Sequence, residues 1–509
     1  MIIKGEITMK RIISIVLLAC LLCGLFVGCK AKKQANSATD VEIVYWETGY
    51  GRGWLDALVK NFNESQDVYY ATVVASAENR ISEIERGNAT GDLYFGAWNT
   101  FNAYKEYLYP MDTLLATKVD GENGLTIGEK FGSFVDINKN TDGHVYALPN
   151  TIGGINAIMY NANMMVDADG NPYKLPNTTD ELVKLCLSLF SDGKTPIIHY
   201  ADYWYYIYEA WIAQYLGEED FWKTWNAIYV DENGVEHAND VRAITENQGR
   251  YEAYKVLEDL VSPKGYTYTN TNSFTHTTAQ TYFLEGYAVM MPNGSWMENE
   301  MGGGDAAENI KPMKTPVISA LADKLGIRND KHLSLIVDYV DGTELTESEM
   351  SVVNGYSKEV IEEVRKARSI FYGAQPQHTI IPNYSNCVDG AVEFLKYVYS
   401  DEGMKLISDT IGVPSAIAYS GNVEVDPTNW SSFMQECNKL LENGTNLRHF
   451  LNVPIFYLTG TQHIMINHPV RDMTYRTDGG ILNAEEYWAK EVSDWEAKWP
   501  QMLIDAGLQ

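Results

Sequence analysis

The chain has 509 residues, with 68 Asp+Glu against 39 Lys+Arg and a net charge of −29. That length allows two domains or one very large one. Such acidity excludes nucleic acid, whose binding rests on Lys and Arg neutralising phosphates, and disfavours anionic lipid and anionic substrates.

The first element is a leader. Lys10 and Arg11 form a positive head, Ile12 to Val27 form an apolar run broken only by Ser14, Gly24 and cysteines, and polarity returns at Lys30. This is the layout of an export signal, and the run is shorter than the ~20 apolar residues of a membrane span. Phe26-Val27-Gly28-Cys29 resembles a bacterial lipobox. The match implies a lipoprotein signal peptide over 1–28, acylation of Cys29 with palmitate among the chains, and a tether over 29–40. Leu17-Leu18-Ala19-Cys20 also matches but leaves only Ile12–Ala19 as apolar core. Two or more acyl chains give lasting attachment, so the expected location is the extracellular face of the cell membrane, with the lipid anchor as the only membrane contact. Either Met1 or Met9 serves as the start. Cys186, Cys387 and Cys437 alone follow Cys29, too few and too odd in number for a disulfide framework.

Val41–Trp46 alternates as a strand, and Trp54/Leu55, Leu58/Val59 and Phe62 mark one face of a following helix. Strands over Val68–Ala75 and Asp92–Phe95, with short helices over Ile81–Arg86 and near Tyr104–Leu108, continue an alternation that predicts a parallel sheet covered by helices. Ligands of such sheets sit beyond the carboxyl ends of strands, near Trp46–Gly51 and Gly96–Thr100. A second unit begins after Tyr146-Ala147-Leu148-Pro149. Asp167–Asn171 and Asp231–Gly234 read as turns. Thr178-Thr179-Asp180-Glu181 reads as a capping box opening a helix with Leu182, Leu185, Cys186 and Leu189 on its apolar face. Residues 305–375 read as a charged, less regular insertion with one helix near Lys358–Ile370. Val388, Ala391/Val392, Leu395 and Val398 mark another helix. Trp488, Val492, Trp495 and Trp499 form a C-terminal core seam, which Pro500 should end or kink.

Five segments, taken in order, resemble the extracellular solute-binding proteins of ABC importers, the sugar-binding family that includes the maltodextrin binders. They are Tyr45-Trp46-Glu47 with Phe62-Asn63-Glu64; Gly143 to Pro149 with Met159-Tyr160-Asn161; Pro176 to Leu182; Phe283 to Met290 with Gly294-Ser295-Trp296; and Ala391 to Lys396 with Ser400 to Gly403 and Gly412-Val413-Pro414. Met159 and Thr179 depart from the aromatics usual there. The resemblance implies an α/β, two-lobed fold of the periplasmic-binding-protein type II class, with a hinge and an interlobe ligand cleft. Residues 41–150 plus 378–412 form lobe one, and 151–377 plus 413–509 lobe two. It implies a monomer without cofactor or metal that captures a neutral oligosaccharide by lobe closure and hands it to ABC transporter permease subunits.

The 34 Tyr and 12 Trp suit such a ligand, because their rings offer an apolar face and a polar tip. The expected ligand-binding residues are Trp46, Glu47, Trp98, Asn99, Asp202, Tyr203, Trp204 and Trp296, with Trp296 first as the stacking ring. Trp46 serves equally well as core, Glu47 and Asp202 as solvated carboxylates. Tyr205, Tyr206, Tyr208 and Trp211 have the spacing of helical core, and His199 reads as structural. A secreted glycoside hydrolase, with two carboxylates about 5 to 9 Å apart, and a binder of peptides or other non-sugar solutes remain alternatives.

Overall fold

The computed structural model describes residues 39–508 except 77–79, 81, 98–104, 133–134, 136–138, 141, 152–153, 263–264, 304–306, 374–376, 416, 422, 443, 448–467, 475–479 and 507. The leader, Cys29, Trp98 and Asn99 lie outside the described residues. The described strands, in chain order, are β1 (Asp40–Trp46), β2 (Tyr70–Ser76), β3 (Leu93–Ala97), β4 (Leu148–Thr151), β5 (Ile155–Asn161), β6 (Ile228–Val230), β7 (Glu236–Ala238), β8 (Met290–Gly294), β9 (Ile310–Met313), β10 (Ile370–Gly373), β11 (Gln377–Ile380) and β12 (Thr445–Leu447).

Two five-stranded sheets organise the chain. The first has the order β2-β1-β3-β11-β4. β1 runs parallel to β2 and β3, while β11 returns antiparallel to β3 and β4. Val41 to Tyr45 are all buried, as expected of a strand covered on both faces. The helix Gly53–Ser65 lays Trp54, Leu55, Leu58 and Phe62 against this sheet. In the second sheet β12, β10, β5 and β8 are neighbours in that order, and β9 pairs the far end of β5. The chain passes from the first sheet to the second between β4 and β5, returns between β10 and β11, and crosses again between β11 and β12.

One face of the second sheet carries the helix Trp204–Leu216, buried nearly all round. The C-terminal helix Ala484–Asp505 packs onto the same core through Tyr487, Trp495, Trp499 and Met502. Its expected Trp seam therefore holds at Trp495 and Trp499, with Trp488 half-buried beside it. Pro500 does not end this helix. Proline removes one ladder hydrogen bond, and burial of Trp499 and Met502 on either side keeps the turn in place. Arg250, 2% exposed, links the helices through Nη2 to Glu491 Oε1 at 2.7 Å and Nη1 to Glu209 Oε1 at 3.7 Å.

Two local expectations need correction. Residues 305–375 are not irregular: helices span Leu321–Lys324, Asp330–Val340, Glu347–Val353 and Lys358–Ser369. Charge hid them because each buries a narrow stripe, only Val364, Ala367 and Arg368 in the last. The Thr178 cap is half a capping box. Its hydroxyl accepts from Glu181 N, but Glu181 Oε2 receives the backbone N–H of Asn177 instead of that of Thr178. The segment 425–480 adds the helix Ser432–Glu442 and also β12, which extends the second sheet parallel to β10. Cys186, Cys387 and Cys437 are buried free thiols.

Candidate functional site

β1 and β8 belong to different sheets, yet the loops that follow them touch. Tyr50, after β1, and Ser295, after β8, share a buried hydrogen bond of 3.1 Å between their hydroxyls. Beside it lies the half-buried indole of Trp296. A Cβ on Gly49 would stand 2.4 Å from Trp296 Cδ1, and one on Gly294 would stand 2.0 Å from the far edge of the same indole. Only glycine at both positions lets the ring lie between the two loops.

Tyr203 and Tyr206 approach the indole edge-on, with centroids 5.7 and 6.1 Å away. They come from the start of the helix Trp204–Leu216, three residues apart and so on one face. Tyr200 stands 5.2 Å from Tyr203 and 5.9 Å from the His276 ring. His276 Nε2 lies 3.3 Å from Glu300 Oε1, and Gln280 Nε2 donates to Glu300 Oε2 at 2.6 Å. The Glu300 hydrogen bond raises the imidazole's pKa against the opposing effect of burial. Burial raises the Tyr203 and Tyr206 phenols well above their ordinary range, so both stay neutral donors.

Asp202 is already engaged. Its Oδ1 lies 2.6 Å from His468 Nε2 and accepts from Arg471 Nη2 at 2.9 Å. Burial pushes this carboxyl up, but the His468 and Tyr200 hydrogen bonds and the neighbouring positive charge outweigh it, leaving it at about 2. The group holds the helix Pro469–Thr474 beside the aromatic cluster.

A family model for bacterial extracellular solute-binding proteins matches residues 57–434. The chain belongs to this family. No curated protein sequence matches it. Among solved structures, it is similar to the GacH receptor of Streptomyces glaucescens, determined unliganded and with acarbose, at TM-score 0.58 and 14% identity over 91% of this chain and 98% of that one. It is also similar to a protein from work on xylan utilization by Caldanaerobius polysaccharolyticus, at TM-score 0.60 and 15% identity over 89% and 99%. The maltose-maltodextrin binding protein of Alicyclobacillus acidocaldarius gives 0.55 and 14% over 91% and 100%. The two sheets with their repeated crossovers are the fold of these solute-binding proteins.

Within this solute-binding fold the expected site residues have different fates. Tyr203 and Trp296 are brought together, Trp46 ends β1, and Glu47 starts the loop that carries Gly49 to the indole. Trp46 is half-buried and Glu47 exposed. Trp98 and Asn99 fall outside the described residues, just past the end of β3. Trp204 must be withdrawn. It is 0% exposed and packs 6.4 Å from Trp211 inside the second core, because it sits one residue, about 100° of helix, away from Tyr203. Tyr206 moves the other way, from expected core to the cluster around Trp296. Tyr200, His276 and Glu300 were missed, and only proximity in space marks them. His199 is fully buried, donates from Nε2 to Asn272 Oδ1 at 2.8 Å, and is pushed down to about 4 by burial.

A cavity of about 690 Å³ opens elsewhere, between β5, β9, β10 and the helix Lys358–Ser369. Its cations Arg365, Lys366 and Lys439 each pair with an acidic residue three positions earlier, while Lys314 and Arg368 share the single carboxylate of Asp341. Among the described residues no group of His, Cys, Asp and Glu is arranged to hold a metal ion, and no helix is long and apolar enough to cross a membrane.

Proposed function

We propose that this solute-binding protein captures a neutral oligosaccharide between two lobes, residues 41–150 plus 378–412 and residues 151–377 plus 413–509, and delivers it to the permease subunits of an ABC transporter. The observation that carries the reading is the Trp296 indole, held by glycine between loops of the two sheets with two tyrosines edge-on to it. Sugar C–H faces stack on such rings while phenol hydroxyls and fixed polar groups take up the ligand's hydroxyls. A ligand contacting both loops favours the closed arrangement, and closure by hinge rotation follows from that difference in affinity. Trp46, Glu47, Trp98, Asn99, Tyr203 and Trp296 are the proposed ligand contacts, with Tyr206, His276 and Glu300 added.

Binding without turnover fits the carboxylates. Asp202 is tied to His468 and Arg471 and held at about 2, and Glu300 is tied to His276 and Gln280. A glycosidase acid keeps its proton near neutral pH, which Asp202 at about 2 does not. The same proposal makes the protein a monomer anchored by acylated Cys29 on the outer face of the membrane, which keeps it at high effective concentration beside its permease.

The test is calorimetric titration with an oligosaccharide panel, followed by chromatography of the sugars. Intact sugars bound at micromolar affinity, about −8 kcal/mol, support the proposal. Shortened products would mean hydrolysis, and saturation by peptides instead of sugars would replace the ligand. Loss of palmitate labelling in Cys29→Ala checks the anchor.

A further inference from the structure

We infer that Gln280 is a positioning residue for the ligand: with His276 it fixes the Glu300 carboxylate so that both oxygens meet one pair of adjacent hydroxyls on a sugar stacked against Trp296. This rests on the reading that the cleft binds carbohydrate. It narrows the ligand to a neutral glycan with a free vicinal diol at that subsite.

Glu300 belongs to the aromatic cluster. It follows Trp296 by four residues, and its backbone N–H donates to Trp296 O at 2.9 Å. Carboxylate and indole therefore share one side of that turn. Contacts run from Trp296 to Tyr203, from Tyr203 to Tyr200, from Tyr200 to His276, and from His276 back to Glu300. The charge of Glu300 reaches Tyr203, whose phenol is raised by burial first and by Glu300 next. The circuit closes around a carboxylate that is 18% exposed, and so open to a ligand.

Both groups that hold Glu300 come from one helix. His276 and Gln280 are four residues apart on His276–Leu284 and so lie on one face. His276 Nε2 stands 3.3 Å from Oε1, and Gln280 Nε2 donates to Oε2 at 2.6 Å. Among the described residues the carboxylate has no other partner. Each carboxylate oxygen offers about two lone-pair sites, so one remains on each. Two adjacent hydroxyls of a pyranose meet two such oxygens side by side, the same bidentate fit by which a carboxylate takes a guanidinium.

The side chain of Gln280 makes this one bond. It is 0% exposed, and its Oε1 is buried with no partner among the described residues. A buried carbonyl left unpaired carries the full loss of its hydration. A methionine or leucine of similar size would fill the space without that loss. A buried polar group that weakens the fold in this way marks a functional site. The amide's orientation is fixed by the same bond, because turning it over would set Oε1 against a negative oxygen.

The experiment is calorimetry with xylotriose, maltotriose and chitotriose, then with mono-O-methyl derivatives of each trimer that binds the parent. The proteins are the parent, Gln280→Met, Gln280→Leu, Glu300→Gln, and the double variant Gln280→Met, Glu300→Gln, each with its melting temperature. Gln280→Met should lose about tenfold in affinity. Its melting temperature should stay level or rise, because an unpaired buried carbonyl is gone. Added to Glu300→Gln, the same change should cost less than about twofold, since the group it positions is already altered. Methylating either of two adjacent hydroxyls should cost the parent more than about tenfold and Gln280→Met much less. The inference is overturned if Gln280→Met binds like the parent or if the two losses add in the double variant. It is overturned as structural if both Gln280 variants lose melting temperature together with affinity. Sensitivity at a single hydroxyl, or at two that are not adjacent, also overturns it. If no trimer binds the parent, the carbohydrate reading itself fails and this inference falls with it.

Discussion

Two sets of aromatic residues lie within a few positions of each other and end in opposite roles. Tyr203 and Tyr206 turn toward Trp296 at the meeting of two sheets, whereas Trp204, Tyr205, Tyr208 and Trp211 vanish into the second core. Composition cannot separate them, since both are Tyr and Trp. The helical phase separates them: successive residues point about 100° apart, and one face of this helix meets the sheet while the other meets the loop after β8. Removing a ring should therefore cost stability on one face and affinity on the other.

The largest effects belong to the core face. Trp204→Ala and Trp211→Ala should each lose about 3–5 kcal/mol of stability through lost burial and the cavity left behind, read as a fall in denaturant midpoint, and ligand affinity of the folded fraction should stay unchanged. Arg250→Met, which leaves Glu491 buried without its cation, should cost a similar ~3–5 kcal/mol. If the double change Arg250→Met, Glu491→Leu is no better than the single one, the penalty does not come from the stranded charge. On the other face, Trp296→Ala should reduce oligosaccharide affinity by about ten- to a hundredfold, or 1.4 to 2.7 kcal/mol, with a smaller stability loss than Trp204→Ala. Equal stability losses at the two positions would erase the contrast.

Gly49→Ala sharpens the same point without removing a ring. Its Cβ would press on Trp296, so affinity should drop several-fold, and a further Trp296→Ala should cost much less in this background than in the parent. The smallest effect concerns Asp202. Its pKa is depressed to about 2 against about 3.9 in an unfolded chain. The group therefore adds stability above pH 4, and that contribution is lost as pH falls from about 4 through 2. The carboxylate is 43% exposed, so the gap between parent and Asp202→Asn at pH 7 should not exceed about 1 kcal/mol and should close in acid. A gap that widens toward pH 2 would reverse the sign.

The parallel strands β1 to β3 and the helix between β1 and β2 were legible because their patterns are short-range: Val41–Trp46 is apolar but for Glu42, and Trp54, Leu55, Leu58 and Phe62 repeat at helical spacing, whereas the antiparallel β11, brought in from far along the chain, was not. Trp296 was singled out because Gly294-Ser295-Trp296 falls in the segment where the resemblance to sugar-binding proteins implies a stacking ring. The helices of 305–375 were obscured by charge on their wide solvated faces. Tyr206 and Trp204 were exchanged because periodicity reports that a helix has faces but not what each face meets. Tyr200, His276 and Glu300 gather only in space, 76 to 100 residues apart along the chain for His276 and Glu300 relative to Tyr200.

By itself the amino-acid sequence determined the family, the α/β alternation of the first strands and helices, the acidic character, and the Gly294-Ser295-Trp296 segment. Each is a matter of composition or of neighbours within a few residues. Tertiary structure alone decided which tyrosines face the meeting of the two sheets, that Gly49 closes on Trp296, and that Asp202 is bound to His468 and Arg471. Those facts depend on contacts between segments far apart in the chain, and the energies that place them are set by packing that no local pattern records.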